Sequence, residues 1–305
     1  MTPPSAPALV TGASSGLGAE FAVFLAARGH PLVLVARRAE RLEQVAARCA
    51  ALGVTARTLT ADLATEDGLA VCREAIDREQ PGVVVLNAGF GSTGAFVLQD
   101  REREDRMVRL NCLAVTDLAH HALTGMRARG AGDLVLVSSA AAFMPLPGMA
   151  NYAATKAFEL HLGRALAAEM AGTGVRVVTV CPGPTRTEFS EVIDREGGRP
   201  DGRSGMPGMV PWDDPARVVA RTWRALEAGR DVAATGAVSR FTRVVARVVP
   251  HRVAVRAAGW RVRNRLRAAG SDPRSRIPTR VHPSRGAHRA GRRRPGRRGR
   301  SGTDS

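Results

Sequence analysis

The chain has almost no lysine and almost no tyrosine. Its 305 residues include 44 arginines but a single lysine, Lys156, and a single tyrosine, Tyr152, four places before it. On a solvated surface the two cations often replace one another. At a reactive site they do not, because an ammonium is a compact donor of tunable pKa and a guanidinium is broad, planar and effectively always charged. Aromatics are scarce as well, at 4%, and none lies between Ser271 and Ser305. Cysteine is confined to Cys49, Cys72, Cys112 and Cys181, with no CxxC pair. Scattered through apolar segments, these four fit small buried hydrophobes better than a disulfide frame or a metal site. His120 and His121 point about 100° apart on a helix and make a poor chelate, so no metal is expected. No stretch reaches the roughly 18 apolar residues that would span a bilayer. The opening MTPPSAPALV also lacks the basic start of a secretory signal, and a cytoplasmic protein is expected.

What is present is an ample core and a lopsided charge. Hydrophobic residues make up 44% of the chain, enough for one large domain. Residues 236–269 carry nine arginines and no acid, and residues 270–305 carry eleven arginines against Asp272 and Asp304. Of the formal net charge of +17, residues 1–235 therefore contribute −1. The basic character belongs to an appendage and not to the folded body.

Short β-branched runs alternate with amphipathic stretches over most of the chain. Strands are predicted at residues 6–11, 31–36, 54–59, 83–87, 133–138, 175–180 and 231–235. Helices are predicted at residues 16–28, 40–52, 66–79, 101–129, 150–171 and 215–228. Continuous apolar strands separated by helices indicate a parallel sheet covered on both faces. Right-handed crossovers make it a doubly wound α/β sheet of Rossmann type. The Gly- and Pro-rich stretch 186–214 is long for a connection and is expected to be a lid at the ligand edge or a plain surface loop.

TGASSGLG, residues 11–18, follows the first strand and opens the first helix. Gly12 allows a tight turn, Gly16 lets backbone approach a pyrophosphate, and Gly18 lets helix and strand pack closely. The second strand ends in VARR. An acid there would bond a ribose 2′-hydroxyl, but Ala36 holds that place and Arg37 and Arg38 follow. Two guanidinium groups suit a 2′-phosphate, which favours NADP over NAD, although Arg38 also fits a solvated helix start. Asp62 after the third strand can accept from an adenine amino group or cap the next helix. NAG, Asn87 to Gly89, ends the fourth strand with backbone that a ligand can approach closely, as a plain turn also would.

Ser139 ends the fifth strand, thirteen residues before Tyr152. Tyr152 and Lys156 at i and i+4 share a helix face, with roughly 5–6 Å between Cβ atoms. An ordinary tyrosine has a pKa of about 10, and a cation within 4–6 Å favours its ionised form by about 1–3 units. The expectation is a phenol tuned to exchange a proton with a substrate oxygen.

TGASSGLG, Asp62, NAG, Asn111, Ser139, the YxxxK of Tyr152 and Lys156, and PGPTRT together resemble the short-chain dehydrogenase/reductase family in its single-domain branch. The resemblance covers about residues 6–236. It implies that Tyr152 is the general acid or base, that Ser139 bonds the substrate oxygen, and that Lys156 tunes the tyrosine and holds the nicotinamide ribose. Asn111 would keep a water in the proton relay, and a helix kink there is compatible with that role. The implied cofactor contacts are Gly12, Ser14, Ser15, Gly16, Leu17 and Gly18 in the turn, then Arg37 and Arg38, then Asp62 and Leu63. Asn87, Ala88 and Gly89 follow, with Tyr152 and Lys156. Pro182, Gly183, Thr185 and Thr187 would line the nicotinamide end. The substrate implied is a small carbonyl or alcohol compound, and the family's habit of pairing through long helices implies a homodimer or homotetramer.

The sequence thus divides into a catalytic domain over residues 1–236, a basic amphipathic extension over 237–269 and an Arg-rich tail over 270–305 expected to be disordered. Residues 240–268 read as two helices broken at Pro250, with Phe241, Val244, Val245 and Val248 on one side and Arg240, Arg243 and Arg247 on the other. Such a helix either lies on anionic lipid at a membrane surface or docks on the body over the substrate cleft. The tail offers weak, salt-sensitive contact with nucleic acid through phosphates, and no base stacking. Two functions remain open: an NADP-dependent oxidoreductase, or an idle nucleotide fold that works through its basic end.

Overall fold

Four strands are buried along their whole length: β1 (Ala8–Thr11), β2 (Leu32–Ala36), β4 (Val83–Leu86) and β5 (Gly132–Val137). Between β2 and β4 in sequence comes β3 (Ala56–Thr60), which alternates between exposed and half-buried residues as an edge strand does. The computed structural model describes residues 6–186 and 212–249, together with the helical residues 252, 255, 256 and 259. Within that range β6 (Val175–Pro182) and β7 (Val232–Thr235) complete one seven-stranded sheet in the order β3-β2-β1-β4-β5-β6-β7. Every neighbouring pair is parallel.

Successive side chains of a strand point to opposite faces, and both faces are apolar here. Ala8 and Val10 of β1 pack with Phe21, Leu25, Leu42 and Trp223 on one side. Leu9 packs with Ile76, Leu118, Met126 and Leu134 on the other. The helices α1 (Gly16–Ala26), α2 (Ala39–Ala50) and α7 (Pro215–Glu227) cover the first face. Across the sheet lie α3 (Glu66–Glu79), α5 (Ala114–Arg129) and α6 (Ala150–Glu169). The doubly wound sheet expected from the sequence is therefore the observed fold.

Local chemistry sets the helix ends. Thr65 caps α3 by accepting from the N–H of Gly68 at 3.2 Å, so the cap held open as an alternative role for Asp62 falls to Thr65. The stretch expected to be one helix over 101–129 is α4 (Arg101–Val108), a π turn at Arg109–Leu113 and α5. α8 (Gly236–Val248) follows β7 directly, four residues before the helix expected at 240. Residues 187–211, which hold most of the stretch expected to be a lid or a plain surface loop, lie outside the described residues, as do Pro250 and residues 270–305.

Candidate active site

A parallel sheet brings the carboxyl ends of its strands to one edge, where ligands of such folds bind. Gly12, Arg37, Asp62, Asn87, Ser139 and Gly183 each stand just past a different strand, β1 to β6 in turn, and so share that edge. At its centre the glycine turn is tight. Gly12 and Gly16 have φ of +64° and +56°, which favours glycine. A Cβ on Gly18 would lie 2.3 Å from the carbonyl oxygen of Gly12 and 2.5 Å from Asn87 Nδ2, so α1 can approach β1 only without a side chain there. Asn87 fastens this turn from β4: its Nδ2 donates to the carbonyls of Thr11 at 3.0 Å and Gly12 at 3.2 Å. Thr11, which the sequence reading passed over, accepts through Oγ1 from the N–H groups of Asn87 and Ala88 at 2.9 and 3.0 Å. Leu17 is half-buried beside the turn and Leu63 is buried.

Arg38 leans back onto the glycine turn. Its guanidinium donates to Ser14 Oγ at 3.2 and 3.3 Å and to Ser15 Oγ at 2.6 Å, and it is exposed, as is the neighbouring Arg37. Arg38 is thus tied to the turn and is not merely a solvated helix start. Asp62 holds the N–H of Ala64 at 3.1 Å and pairs with Arg106 of α4, a partner not anticipated from sequence.

Further along the same edge the three singled-out groups meet. Tyr152 and Lys156 lie on the buried side of α6, 5% and 4% exposed, with Nζ 6.0 Å from the phenol ring centre. Ser139 caps the turn Ala140–Phe143, accepts from the N–H of Ala141 at 3.1 Å, and acts on the Tyr152 phenol in the direction that favours its ionised form. The neighbouring Ser138 donates to the carbonyl of Lys156 at 2.7 Å and so anchors α6 to β5. Asn111 sits in the π turn with no exposure, its Nδ2 donating to the carbonyl of Phe90 and to Thr155 Oγ1, each at 3.0 Å. Gly89 fits between Asn111 and Lys156: a Cβ there would stand 3.1 Å from Asn111 Oδ1 and 3.3 Å from Lys156 Nζ.

Burial changes the electrostatics from the simple expectation. It pushes the Tyr152 phenol above its ordinary value, and the opposing pull of Lys156 and Ser139 does not overcome it. Burial also pulls the Lys156 ammonium down, but Glu159 and Tyr152 outweigh it and the net direction is up. Glu159 itself was missed. Its two carboxylate oxygens lie 2.9 and 3.0 Å from Lys156 Nζ, which also donates to the carbonyl of Val137 at 3.0 Å. The i, i+3 spacing from Lys156 was the available signal.

Beyond β6, Pro182 closes the strand and Gly183 bonds the carbonyl of Thr235 through its N–H at 3.2 Å. Thr185 is buried and donates to the carbonyl of Gly183 at 3.0 Å, whereas Thr187 falls outside the described residues. α8 packs against the Ala140–Phe143 turn, and Ser239 reaches the carbonyl of Cys181 at 2.5 Å. Its Phe241, Val244 and Val248 face away from the body, 71%, 59% and 73% exposed.

Elsewhere a groove of about 220 Å³ between α3 and α5 holds His120 and His121, but it lies at the opposite edge of the sheet and shares no residue with the cluster. Cys49, Cys72 and Cys181 are buried and all four thiols are free. Among the described residues no group of three or more His, Cys, Asp or Glu is placed to hold a metal, and no helix is long and apolar enough to cross a membrane.

The family model "short chain dehydrogenase" matches residues 6–197. An uncharacterized oxidoreductase of Myxococcus xanthus is 37% identical over 185 residues, which are 60% of this chain and 73% of that protein. The very-long-chain 3-oxoacyl-CoA reductase of Anas platyrhynchos is 33% identical over 191 residues, 61% of this chain and 61% of its own length, so the match spans less than two thirds of that relative. A solved short-chain dehydrogenase from Sphingobium yanoikuyae in complex with NADPH superposes with a TM-score of 0.67 at 32% identity, over 92% of this chain and 99% of that one. Because the model match alone takes in well over half of the sequence and the fold agrees with it, this chain belongs to the short-chain dehydrogenase family and is an oxidoreductase.

Proposed function

We propose that the chain is an NADPH-dependent carbonyl reductase, which in reverse is an alcohol dehydrogenase, with Tyr152 as its general acid. The observation that carries this reading is the meeting of Ser139, Tyr152 and Lys156 beside the glycine turn. A protein that only bound a nucleotide would have no use for a buried phenol with a serine and an ammonium arranged about it. The cofactor fits on two counts. The turn of Gly12, Gly16 and Gly18 draws the start of α1 against the ends of β1 and β4 with no side chain between, and Ser14, Ser15 and Arg38 gather hydroxyl and guanidinium groups at its rim. With Ala36 where an acid would sit and Arg37 beside Arg38, that rim suits a 2′-phosphate. The NADPH in the Sphingobium relative supports the same choice.

NADPH, when bound, supplies the hydride. The chain's own residues handle the proton and the charge. Tyr152 donates its phenolic proton to the substrate oxygen as that oxygen gains electrons, and Ser139 donates a hydrogen bond to the same oxygen. Both are in place before charge develops, which is where such donors contribute most. Burial keeps the phenol protonated, the state that reduction needs. Lys156 steadies the phenolate left behind, and the roles assigned to Asn111 and Thr187 remain part of the proposal.

Apolar groups flank the cluster. Gly91 abuts the Tyr152 ring, and Gly94 bonds the carbonyl of Gly148 at 2.8 Å just ahead of α6, so the loop carrying exposed Phe96, Val97 and Leu98 runs past the site. α8 adds a wall on the other side. A hydrophobic ketone or acyl compound suits that setting, and the activity named for the Anas reductase points to the same class.

Tyr152→Phe tests the assignment. Turnover of NADPH with a panel of carbonyl compounds should fall by about 100- to 10,000-fold, the usual contribution of general acid catalysis. NADPH affinity, read by fluorescence, should hold. Unchanged turnover would remove Tyr152 from the chemistry.

A further inference from the structure

The buried side of α6 carries Tyr152, Lys156 and Glu159 at i, i+4 and i+7, together with Leu160 and Gly163. The Glu159 and Lys156 side chains are 3% and 5% exposed, and both carboxylate oxygens are within 3.0 Å of Nζ. A helix position packed beside Leu160 would be filled at less cost by an apolar residue, since burying a carboxylate and an ammonium forfeits much hydration. The contact is therefore weak evidence for stability alone. It does, however, place a second charge one turn beyond the cation that acts on the phenol.

We propose that Glu159 is a positioning residue of the redox site: its carboxylate holds the Lys156 ammonium and, by losing or gaining a proton, sets how strongly that ammonium acts on Tyr152. This rests on the role proposed above for Tyr152. The two charges oppose one another at the phenol, Lys156 favouring its ionisation and Glu159 resisting it. Burial pushes the Glu159 carboxyl up to about 7 against the pull of Lys156, so its charge changes in the neutral range. Below that pH a neutral Glu159 leaves the ammonium unbalanced and the phenol more acidic. Above it the carboxylate balances the ammonium and the phenol keeps its proton.

Few other groups compete. Cys112 from the π turn and Cys181 from the end of β6 both register Glu159, but burial holds their thiols at about 11 and about 12, neutral throughout this range. Arg243 from α8 acts on Cys181, and among the described residues Tyr152 is the remaining titratable neighbour.

The composition supplies the test, because the full-length chain has one lysine and one tyrosine. Protein labelled with ¹³C at the lysine side chain gives Lys156 as its single lysine signal, and phenolate absorbance reports Tyr152 alone. In the wild type the Lys156 signal should show a step near pH 7 while the amine stays charged. In Glu159→Gln that step should vanish, and the Tyr152–Lys156 pair should lose its first proton about 1–3 pH units lower than in the wild type, seen as phenolate or as neutral amine. A wild-type signal flat through neutral pH would overturn the proposal. So would a folded Glu159→Gln protein whose pair titrates as the wild type does. If the variant does not fold, the wild-type step decides by its presence or absence. Neither titration needs turnover, so failure here is separate from failure of the Tyr152→Phe test.

Discussion

The proposed choice of NADPH rests at the residue scale on Arg38 and its neighbour Arg37. Arg38 leaves the end of β2, turns back 24 residues in sequence to Ser14, and sets its guanidinium among hydroxyls at the mouth of the glycine turn. Hydrogen bonds to charged groups contribute about 1.5–3 kcal/mol each. Replacing both Arg37 and Arg38 with alanine, at about one such bond per side chain, should therefore weaken NADPH about 100- to 10,000-fold, while NADH changes by less than about threefold. Fluorescence titrations of the two nucleotides check this, and equal losses for both would detach the arginines from the 2′-phosphate. At this scale the sequence was informative where composition made a residue rare. Lys156 stands out among 44 arginines, and Tyr152 has no rival. Glu159 did not stand out, because a glutamate on a helix ordinarily faces water and helical period alone cannot say that this one is 2% exposed. Nor could spacing show that burial would outweigh Lys156 at the phenol, since that balance depends on how completely α6 is covered.

Elements were legible in proportion to how strongly burial patterned them. The four fully buried strands appeared as largely apolar runs, whereas the half-exposed edge strand β3 is polar at three of its five positions, Arg57, Thr58 and Thr60. The π turn at Arg109–Leu113 was foreshadowed only by the kink allowed at Asn111, because one wider turn barely disturbs the apolar spacing of a long helix. Yet that turn carries Asn111 to Phe90 and Thr155, and π turns often mark functional sites. The junction of β1 and α1 gives an element-scale prediction. In Gly18→Ala the new methyl would meet the backbone of Gly12 at 2.3 Å, and backbone cannot swing aside as a side chain can. Helix α1 must shift, at a cost of about 1–3 kcal/mol. The variant should lose about that much stability in urea unfolding and bind NADPH more weakly. A variant as stable and as tight as the wild type would show that α1 has slack the packing does not suggest.

The whole molecule joins a nearly neutral body to a strongly basic end. All residues proposed for the site lie before 188, the sheet closes at Thr235, and α8 ends at Val248. Residues 270–305 hold eleven arginines and two aspartates, so removing them lowers the formal net charge from +17 to +8 without touching a proposed site residue. If the chain works as a reductase, truncation after residue 269 should leave kcat and KM for NADPH within about twofold, since screening confines the reach of exposed charge to about 8 Å at physiological salt. Affinity for heparin or for vesicles of anionic lipid should fall, and more steeply at low salt than at high, because each lost arginine releases fewer counterions on binding. Loss of turnover on truncation would instead tie the basic end to the catalytic body, whereas a full-length chain that binds heparin but turns over no carbonyl compound would favour the reading in which an idle nucleotide fold serves what the arginines bind.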